Sequence, residues 1–364
     1  MAEENNYLLV DDAQSARKIV FFQAGRVAEF WHAQQGPELG EVHLARVVHL
    51  QAAQRRATGT LQGGTKISWQ TRRHEHLDTG QLAVVTLTAF GWQDKPMQAS
   101  AGAQLAGRYS LLILNEGGKA SPIRISKKTR DSASSDGLLH LLEQSALASR
   151  LKAAGASLIL RRHSLIRAAT DISETAARVI EEAQMLLGLW QEQAIPLADK
   201  RSEARPRQIF AGLPLLQQAI LYAGERDVRI AAEDDFTRIS GELAPLLSKG
   251  HECASGAVIW IEPTRAAVMV DIDSSASKLA SAALASQVLP EIFYLFRLRG
   301  LAGRVLIDIP YLSAAERHQI SRQIENLCRA DPRHPEFSGF TPSGLVELRY
   351  RYGRQPLDKT LESL

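Results

Sequence analysis

The chain has 364 residues, more than a single hydrophobic core accommodates, so we expect two to four structural modules. Its formal net charge is only +3, so its composition carries no strong signature of polyanion binding. No apolar run approaches the length of a membrane span, and the acidic N-terminus lacks the features of a signal peptide. Cys253 and Cys328 are distant single thiols, which excludes a disulfide framework and a CxxC zinc knuckle. We therefore expect a cytoplasmic protein.

Short β-type segments dominate the N-terminal third. Two strands joined by a polar turn are predicted at Tyr7–Val10 and Lys18–Gln23. A further series, broken by glycines and polar clusters, is predicted at residues 42–50, 66–71, 81–88 and 109–114. The spacing between about residues 38 and 102 is typical of a small five-stranded barrel of the OB/S1 type.

A long helix is predicted after this β-rich part. Asp171 and Glu174 have the N-cap and N3 spacing of a capping box, and apolar residues repeat at helical spacing from Ala176 to Trp190. Pro196 ends the pattern. A polar, basic connector then leads to a mixed region of helix and strand at residues 209–228.

The last third alternates strands with helices. After a strand–turn–strand unit, we predict a helix, a strand, a helix and a strand at about residues 276–299, 304–309, 313–329 and 344–349. Ser313 and Glu316 form a second capping box. The alternation indicates an α/β layer with acidic residues gathered at one strand edge.

Three aspartates follow apolar strand segments of this layer. Asp271 and Asp273 alternate with Val270 and Ile272, so both acids project from one strand face, and Asp308 ends a neighbouring apolar segment. Three converging carboxylates form an oxygen-only site for a hard cation such as Mg²⁺, which indicates phosphodiester chemistry. The alternative is an acidic pair that only marks where a strand meets solvent.

Residues 121–170 have a local excess of positive charge. They carry nine Lys or Arg residues, including Lys127 and Lys128, against three acids. Such an excess is typical of a phosphate-contacting face, and equally of a solvated helix surface.

Five motifs of the last third occur in one order. They are Gly256-Ala-Val-Ile-Trp-Ile-Glu-Pro-Thr-Arg-Ala266, Val270-Asp-Ile-Asp-Ser274, Phe296-Arg-Leu-Arg-Gly-Leu301, Leu306-Ile-Asp-Ile309 and Ser343-Gly-Leu-Val-Glu-Leu348. Together they resemble the catalytic half of the ribonuclease E/G family. Weaker similarity continues upstream, where residues 25–48 resemble the entry into that family's S1 domain. Residues 105–109, 125–128 and 155–161 fall where the family has its RNA-end-sensing region.

The resemblance implies an α+β multidomain fold. In it an S1/OB-like β-barrel is inserted in an RNase H-like and 5′-sensor region, and a DNase I-like α/β catalytic domain follows. The implied boundaries are N-terminal RNase H-like strands 1–37, barrel 38–102, 5′-sensor-like region 103–195, remainder of the RNase H-like subdomain 196–250, catalytic domain 251–352 and tail 353–364.

The resemblance also implies a Mg²⁺-dependent endoribonuclease. Asp271 and Asp308 match the two aspartates that hold the ion, with Mn²⁺ as an alternative. The enzyme would cut single-stranded RNA to leave 5′-phosphate and 3′-hydroxyl ends. Asp273 stands where the family usually has Asn, so it adds negative charge instead of an amide donor, and Tyr311 replaces a further acid.

The RNA-binding positions are diverged. Lys95 matches a basic residue that contacts RNA in the family. Thr58 and Ser68 replace exposed aromatics that stack on bases there, and Trp69 substitutes for them only if the strand register shifts by one residue. Lys127 and Lys128 are further candidates for RNA contact.

The family's 5′-phosphate pocket is only partly matched. Arg161 and Gly107 match pocket residues, Arg162 stands where Thr is common, and Arg167 is a rival for Arg161. Pro342, which has no N–H donor, replaces a further pocket residue. The zinc-binding linker of the family is missing, so we expect no zinc, and any oligomer would use another interface.

Two other functions remain open at this stage. The replaced aromatics, amide, outer acid and pocket residue favour, as the main alternative, a catalytically weak or inactive RNA-binding protein on the same scaffold. A metal-dependent transferase acting on nucleotide sugars shares the Asp-x-Asp pair, but it leaves the other motifs unexplained.

Overall fold

A computed structural model describes residues 6–33, 36–72, 76–91, 95–114, 121–125, 133–194, 205–224, 227–274, 276–354 and 356–361. The chain forms two compact units. Unit 1 comprises Met1–Ala33, Phe90–Lys95 and Glu225–Leu364, and unit 2 comprises Gln34–Ala89 and Pro96–Gly224. No helix within the described ranges is both long and apolar enough to cross a membrane.

Unit 1 begins with three antiparallel strands, β1 (Tyr7–Val10), β2 (Lys18–Gln23) and β3 (Arg26–His32). The first two confirm the predicted strands. The turn between β2 and β3 passes through Ala24 and Gly25, which both have positive φ, a conformation that glycine adopts without a steric penalty. Apolar side chains such as Val20 and Phe30 bury one face of this sheet.

Unit 2 opens with a closed barrel. Its strands are β4 (Val42–Gln51), β5 (Arg56–Thr60), β6 (Lys66–Gln70), β7 (Leu82–Ala89) and β8 (Met97–Ala101). They pair in the order β4-β5-β6-β8-β7, and β7 pairs back on β4, which closes the sheet. The β6–β8 pair is parallel and the others are antiparallel. The predicted five-stranded barrel is therefore confirmed as an architecture.

The rest of unit 2 is a mixed layer. Its elements are β9 (Gln104–Ala106), β10 (Ser110–Ile113), β11 (Ile123–Ile125), α1 (Ala133–Gln144), α2 (Ala146–Ala153), β12 (Ser157–Leu160), α3 (Arg162–Ala168), α4 (Ile172–Gln193), β13 (Arg207–Phe210) and α5 (Leu215–Ala223). The strands form a sheet in the order β11-β12-β10-β9, while β13 pairs with β4 of the barrel. Apolar side chains of α1 and α4 pack with this sheet in one core.

Helix α4 begins at the predicted N-cap, but the capping box is incomplete. The carboxylate of Asp171 accepts a hydrogen bond from the backbone N–H of Glu174 at 2.8 Å. The Glu174 carboxylate instead accepts a hydrogen bond from the Arg167 guanidinium at 3.1 Å. The Arg167 guanidinium thus binds the Glu174 carboxylate, which in a complete capping box would accept a hydrogen bond from the backbone N–H of Asp171.

Unit 1 resumes with β14 (Asp227–Ile230), which pairs in parallel with β1, and α6 (Asp235–Leu243). A six-stranded sheet follows, made of β15 (Gly250–Glu252), β16 (Val258–Pro263), β17 (Val268–Asp273), β18 (Gly303–Ile307), β19 (Glu336–Phe340) and β20 (Val346–Tyr350). Its strand order is β15-β16-β17-β18-β20-β19. The helices are α7 (Ser281–Leu298), α8 (Ala314–Ala330) and α9 (Leu357–Leu361).

Helices α7 and α8 cover one face of this sheet, where Val270, Ile272 and Ile307 share a core with Leu289 and Ile324. We call the other face, which carries the alternate side chains of the same strands, the open face.

The α8 capping box is complete, as predicted, with Ser313 and Glu316 bonded in both directions. Helix α7, however, begins at Ser281, later than predicted. The N–H of Ser277 bonds the carbonyl of Ser274, and that of Leu279 bonds the Ser277 hydroxyl, so local turns occupy the predicted first helical turn.

Candidate functional site

The strands β17 and β18 bring two of the predicted acids next to each other. They run parallel with Val270 beside Ile307. The ladder continues one step further, because the N–H of Asp308 donates to the carbonyl of Val270 at 2.8 Å. Asp271 and Asp308 are therefore lateral neighbours on strands that lie about 4.8 Å apart.

Both acids project from the open face. Val268, Val270 and Ile272 are buried in the core beneath the sheet, and so are Val305 and Ile307. Because side chains alternate along a strand and lateral neighbours in a parallel pair point the same way, Asp271 and Asp308 share the opposite face. Both are exposed to solvent.

The predicted cluster of three acids does not form. Asp273 lies two residues beyond Asp271 on the same face, opposite Val258 of β16. Among the residues that the structure describes, no group of three or more His, Cys, Asp or Glu side chains is arranged to hold a metal ion. Alternation places Asp273 on the same face as Asp271 but two residues, about 6–7 Å, further along the strand. A shared face therefore does not bring the three carboxylates together.

The remaining pair fits a hard divalent cation in its donor chemistry. Within the described ranges, neither the Asp271 nor the Asp308 carboxylate has a hydrogen-bond or ion-pair partner. Mg²⁺ is commonly held by one or two carboxylates, with water completing its shell. The two aspartates offer such a set, with oxygen donors on a rigid sheet and access from solvent.

The rest of the open face was not anticipated from the sequence. Trp260 of β16 stands directly opposite Asp271 and is 43% exposed. Further along the sheet, Arg304 lies opposite Arg349 and forms an ion pair with Glu347 at 3.3 Å. Alternation within the apolar motif places Trp260 on the face opposite to the buried Ile259 and Ile261. That signal was available in the sequence.

Tyr311, which replaces a further acid of the family, follows β18 and is 83% exposed. It contributes no carboxylate oxygen near Asp308.

The prediction that Trp69 contacts RNA is wrong. Trp69 is 2% exposed and lies inside the barrel core, where its ring covers Gly59 of the paired strand. A side chain in that position cannot stack on a base. The outward neighbour, Ser68, is itself covered, because its hydroxyl accepts a hydrogen bond from Nε of Arg56 at 2.9 Å.

The other predicted RNA-contacting residues have different outcomes. Lys95 is exposed, and its amino group lies 3.3 Å from the hydroxyl of Tyr352 and 5.5 Å from the centroid of that ring. Its contact with RNA stays a prediction. Lys127 and Lys128 lie outside the described residues.

The residues predicted to bind a 5′-phosphate are partly brought together. The Arg161 guanidinium donates a hydrogen bond to the carbonyl of Gly107. Arg162 begins α3 and is exposed, and the rival Arg167 pairs with Glu174. Pro342 belongs to unit 1, whereas the other pocket residues belong to unit 2.

A buried carboxylate accepts hydrogen bonds from the backbone N–H groups that follow Gly107. Glu182 of α4 is 6% exposed and accepts hydrogen bonds from the N–H groups of Arg108, Tyr109 and Ser110 at 2.6, 3.1 and 2.9 Å. Burial raises the pKa of Glu182, and these hydrogen bonds oppose that rise. A Cβ atom on Gly107 would lie 2.1 Å from a carboxylate oxygen, so only glycine fits there. No local pattern of residues indicates this contact, because Glu182 lies 72 residues from Ser110.

Comparisons with known proteins bear on the C-terminal part of the chain. A model described as the ribonuclease E/G family matches residues 220–351. Ribonuclease E from Nostoc sp. (strain PCC 7120 / SAG 25.82 / UTEX 2576) is 30% identical over 128 residues, which is 33% of this chain and 19% of that protein. The chain therefore covers about a fifth of that relative's length. The segment matched by the family model includes both Asp271 and Asp308.

Proposed function

We propose that this chain is a member of the ribonuclease E/G family and an endoribonuclease acting on single-stranded RNA, which the family match over residues 220–351 supports. The observation that supports this most is the lateral pairing of Asp271 and Asp308 on the open face. Both carboxylates come from within the matched segment. They are exposed, and they have no described partner that would neutralise them.

In this proposal Asp271 and Asp308 hold one Mg²⁺, or alternatively Mn²⁺. When bound, the ion supplies Lewis acidity at the phosphate and a water of lowered pKa. The two aspartates hold their oxygens in place through the hydrogen-bonded ladder of β17 and β18, so little reorganisation is needed during the reaction. Water adds to phosphorus and gives up a proton, while the bond from phosphorus to the 3′-oxygen breaks and that oxygen takes up a proton. The products therefore carry a 5′-phosphate and a 3′-hydroxyl.

The position of the pair on the sheet suits a polymeric substrate. Helices α7 and α8 bury the opposite face, whereas Asp271, Asp308 and Arg304 are all exposed on this one. An open face admits an internal phosphodiester of a long strand, as endonucleolytic cleavage requires. A closed pocket would admit only a chain end or a mononucleotide.

The barrel of unit 2 is proposed to be an OB/S1-type module. The strand order β4-β5-β6-β8-β7, with β7 returning to β4 and only β6–β8 parallel, supports that assignment. Its contribution to RNA binding is expected to be small. Trp69 is internal and Ser68 is covered by Arg56, so that part of its surface offers no aromatic platform.

The decisive experiment is cleavage of a fluorogenic single-stranded oligoribonucleotide by the wild-type protein in Mg²⁺, in EDTA and as Asp308→Asn. We expect cleavage in Mg²⁺ only, with the variant slower by about 100-fold or more. Glu262→Gln is the matched control, because Glu262 is an exposed acid of β16 that faces Lys249 rather than the pair. It should cleave at the wild-type rate. Equal cleavage rates for the wild type in Mg²⁺, the wild type in EDTA and Asp308→Asn would contradict the proposal.

A second function is favoured by specific replacements at the site. Asp273 and Tyr311 stand where the family has an amide and an acid, so the scaffold could bind RNA without cutting it efficiently. Filter binding across a salt series, combined with the cleavage assay in Mg²⁺, separates the two cases. An RNA-binding protein without activity would retain affinity that falls with ionic strength, and would show no cleavage in Mg²⁺.

A further inference from the structure

Trp260, Asp271 and Asp308 form a lateral row across three adjacent strands. Trp260 of β16 stands opposite Asp271 of β17, and Asp271 stands beside Asp308. Gly250 extends the row on the other side, because it pairs with Trp260 from the edge strand β15. Trp260, Asp271 and Asp308 thus occupy consecutive positions across the open face, on strands about 4.8 Å apart.

Gly250 is what allows the indole of Trp260 to lie across the neighbouring strand. A Cβ atom on Gly250 would come within 3.1, 3.2 and 3.4 Å of three atoms of the six-membered ring of Trp260. Gly250 has no positive φ, so its backbone conformation does not itself require glycine. The missing side chain therefore leaves room for the ring, which covers Gly250 and remains 43% exposed.

The indole of Trp260 is unusually exposed for a large aromatic side chain. Large aromatics are mostly removed from water, and Trp31 and Trp69 of this chain are 4% and 2% exposed. Trp260 leaves much of its ring in solvent, one strand away from the exposed Asp271 and two strands away from the exposed Asp308. Rings exposed in this way can stack on nucleic-acid bases, and such stacking is tolerant of sequence because every base has a π-face.

We propose that Trp260 is a stacking platform for one base of single-stranded RNA, next to the phosphate that lies at Asp271 and Asp308. This inference rests on the proposed function. A paired base is covered by its neighbours in a duplex, so only an unpaired base can lie on the ring. The platform thereby selects unpaired RNA and holds the nucleotide beside the acid pair. Trp260 is in this sense a positioning residue.

Positive charge further along the same face suits the continuing strand. Arg304 lies four residues before Asp308 on β18, about 13 Å away, and it faces Arg349 of β20. Both arginines are exposed, and Arg304 also forms an ion pair with Glu347, which offsets part of this positive charge. They are too far away to contact the phosphate at the acid pair, but they are within reach of phosphates of adjoining nucleotides. A polymer therefore matches the face better than a free nucleotide.

The test is RNA affinity in EDTA, where no cleavage takes place. Fluorescence anisotropy would compare a labelled single-stranded oligoribonucleotide with an abasic strand of the same length. For Trp260→Ala we expect about 5- to 150-fold weaker binding of the oligoribonucleotide, which is the stacking range of 1–3 kcal/mol at about 1.4 kcal/mol per tenfold. Binding of the abasic strand should not change. Trp260→Phe should retain part of the affinity.

Two further variants separate stacking from structural damage. Ile230→Ala removes an apolar side chain that is 67% exposed on β14, in a different sheet of unit 1, and should bind as the wild type does. Gly250→Val should displace the indole and weaken binding in the wild-type background, but have no further effect when combined with Trp260→Ala. Additive losses in that double variant would count against the platform.

The outcomes distinguish this inference from the proposed function. If Trp260→Ala binds both strands as the wild type does, the platform is overturned, whether or not the protein cleaves RNA. If the wild type fails to cleave in Mg²⁺ but Trp260→Ala loses base-dependent affinity, the platform stands and the nuclease proposal fails. Equal losses on the oligoribonucleotide and the abasic strand would also overturn stacking, because they would indicate a backbone contact.

Discussion

Glu182 accepts two hydrogen bonds from Ser110, one from its backbone N–H and one from its hydroxyl, each at 2.9 Å. Glu182 belongs to α4 and Ser110 to β10, so the contact joins elements 72 residues apart in sequence. The carboxylate thereby accepts hydrogen bonds from backbone N–H groups of residues 108–110 that would otherwise be buried without partners.

We predict that Glu182→Gln destabilises the protein by about 2–3 kcal/mol, because the amide turns one acceptor into a donor facing backbone N–H groups. Urea denaturation measures the free energy of unfolding. The matched control is Glu181→Gln, whose side chain is 75% exposed and pairs with Arg178 at 3.8 Å. That change should stay within about 0.5 kcal/mol. Equal stability of the two variants would contradict a role of Glu182 in holding the segment.

A second prediction concerns the 5′ end of the RNA. The N–H groups of Arg108, Tyr109 and Ser110 already donate to Glu182, and the Arg161 guanidinium donates to Gly107. These donors are therefore engaged within the protein. We expect 5′-monophosphorylated and 5′-hydroxyl substrates to be cleaved with kcat/KM values within about twofold. A preference of about tenfold or more for the monophosphate would show that the donors can be released.

A third prediction separates Asp271 from Asp273, both on β17, by their effect on activity. Asp271→Asn should lower kcat by about 100-fold or more, because one of the two carboxylates of the proposed cation site is lost. Asp273→Asn should retain or raise activity, since it removes negative charge beyond the pair and introduces an amide. Steady-state cleavage rates at saturating Mg²⁺ measure both effects. Comparable losses in the two variants would mean that Asp273 acts together with the pair.

Trp69 provides a fourth prediction, which follows from its place inside the barrel. Trp69→Leu should destabilise unit 2 by about 2–4 kcal/mol, because it leaves a cavity beside Gly59. At temperatures where the variant stays folded, its affinity for single-stranded RNA should match the wild type within about twofold. Thermal melts and filter binding on the same preparation provide the comparison. A selective loss of affinity without a loss of stability would argue against an internal position.

A fifth prediction concerns pH and Asp331. Burial raises the pKa of Asp331 above its usual value, although the backbone N–H of Arg333 and the charges of Arg297 and Arg333 oppose the rise, while Glu29 adds to it. A folded-state pKa above the unfolded one favours the folded state most when the group is protonated. The stabilisation is therefore complete below about pH 4 and is lost as the pH rises through the folded pKa.

Asp331→Asn removes this titration. Relative to the wild type, the variant should become more stable as the pH increases from about 4 to 7. Urea denaturation at several pH values gives the difference directly. Parallel stability curves for the two proteins would indicate that Asp331 has the same pKa in the folded and unfolded states.

Local patterns in the sequence were enough to predict several features. The N-cap of α8 at Ser313, the strands β1 and β2, and the common face of Asp271 and Asp273 all depend on residues a few positions apart. Side-chain alternation and capping are short-range, so they operate in the same way in any tertiary setting.

The arrangement of the site depended on contacts that are distant in sequence. Asp308 lies beside Asp271 because of a hydrogen bond to Val270, and the direction of Trp69 depends on the register of β5 and β6. A shift of one residue would reverse the face of each side chain.

Residue types and their alternation were enough to identify the possible oxygen ligands and several of the strands. The pairing of β16, β17 and β18 in the folded chain places two acids, not three, next to each other, with Trp260 in the same row. Packing and hydrogen bonds between distant segments set this pairing, so no local pattern encodes it.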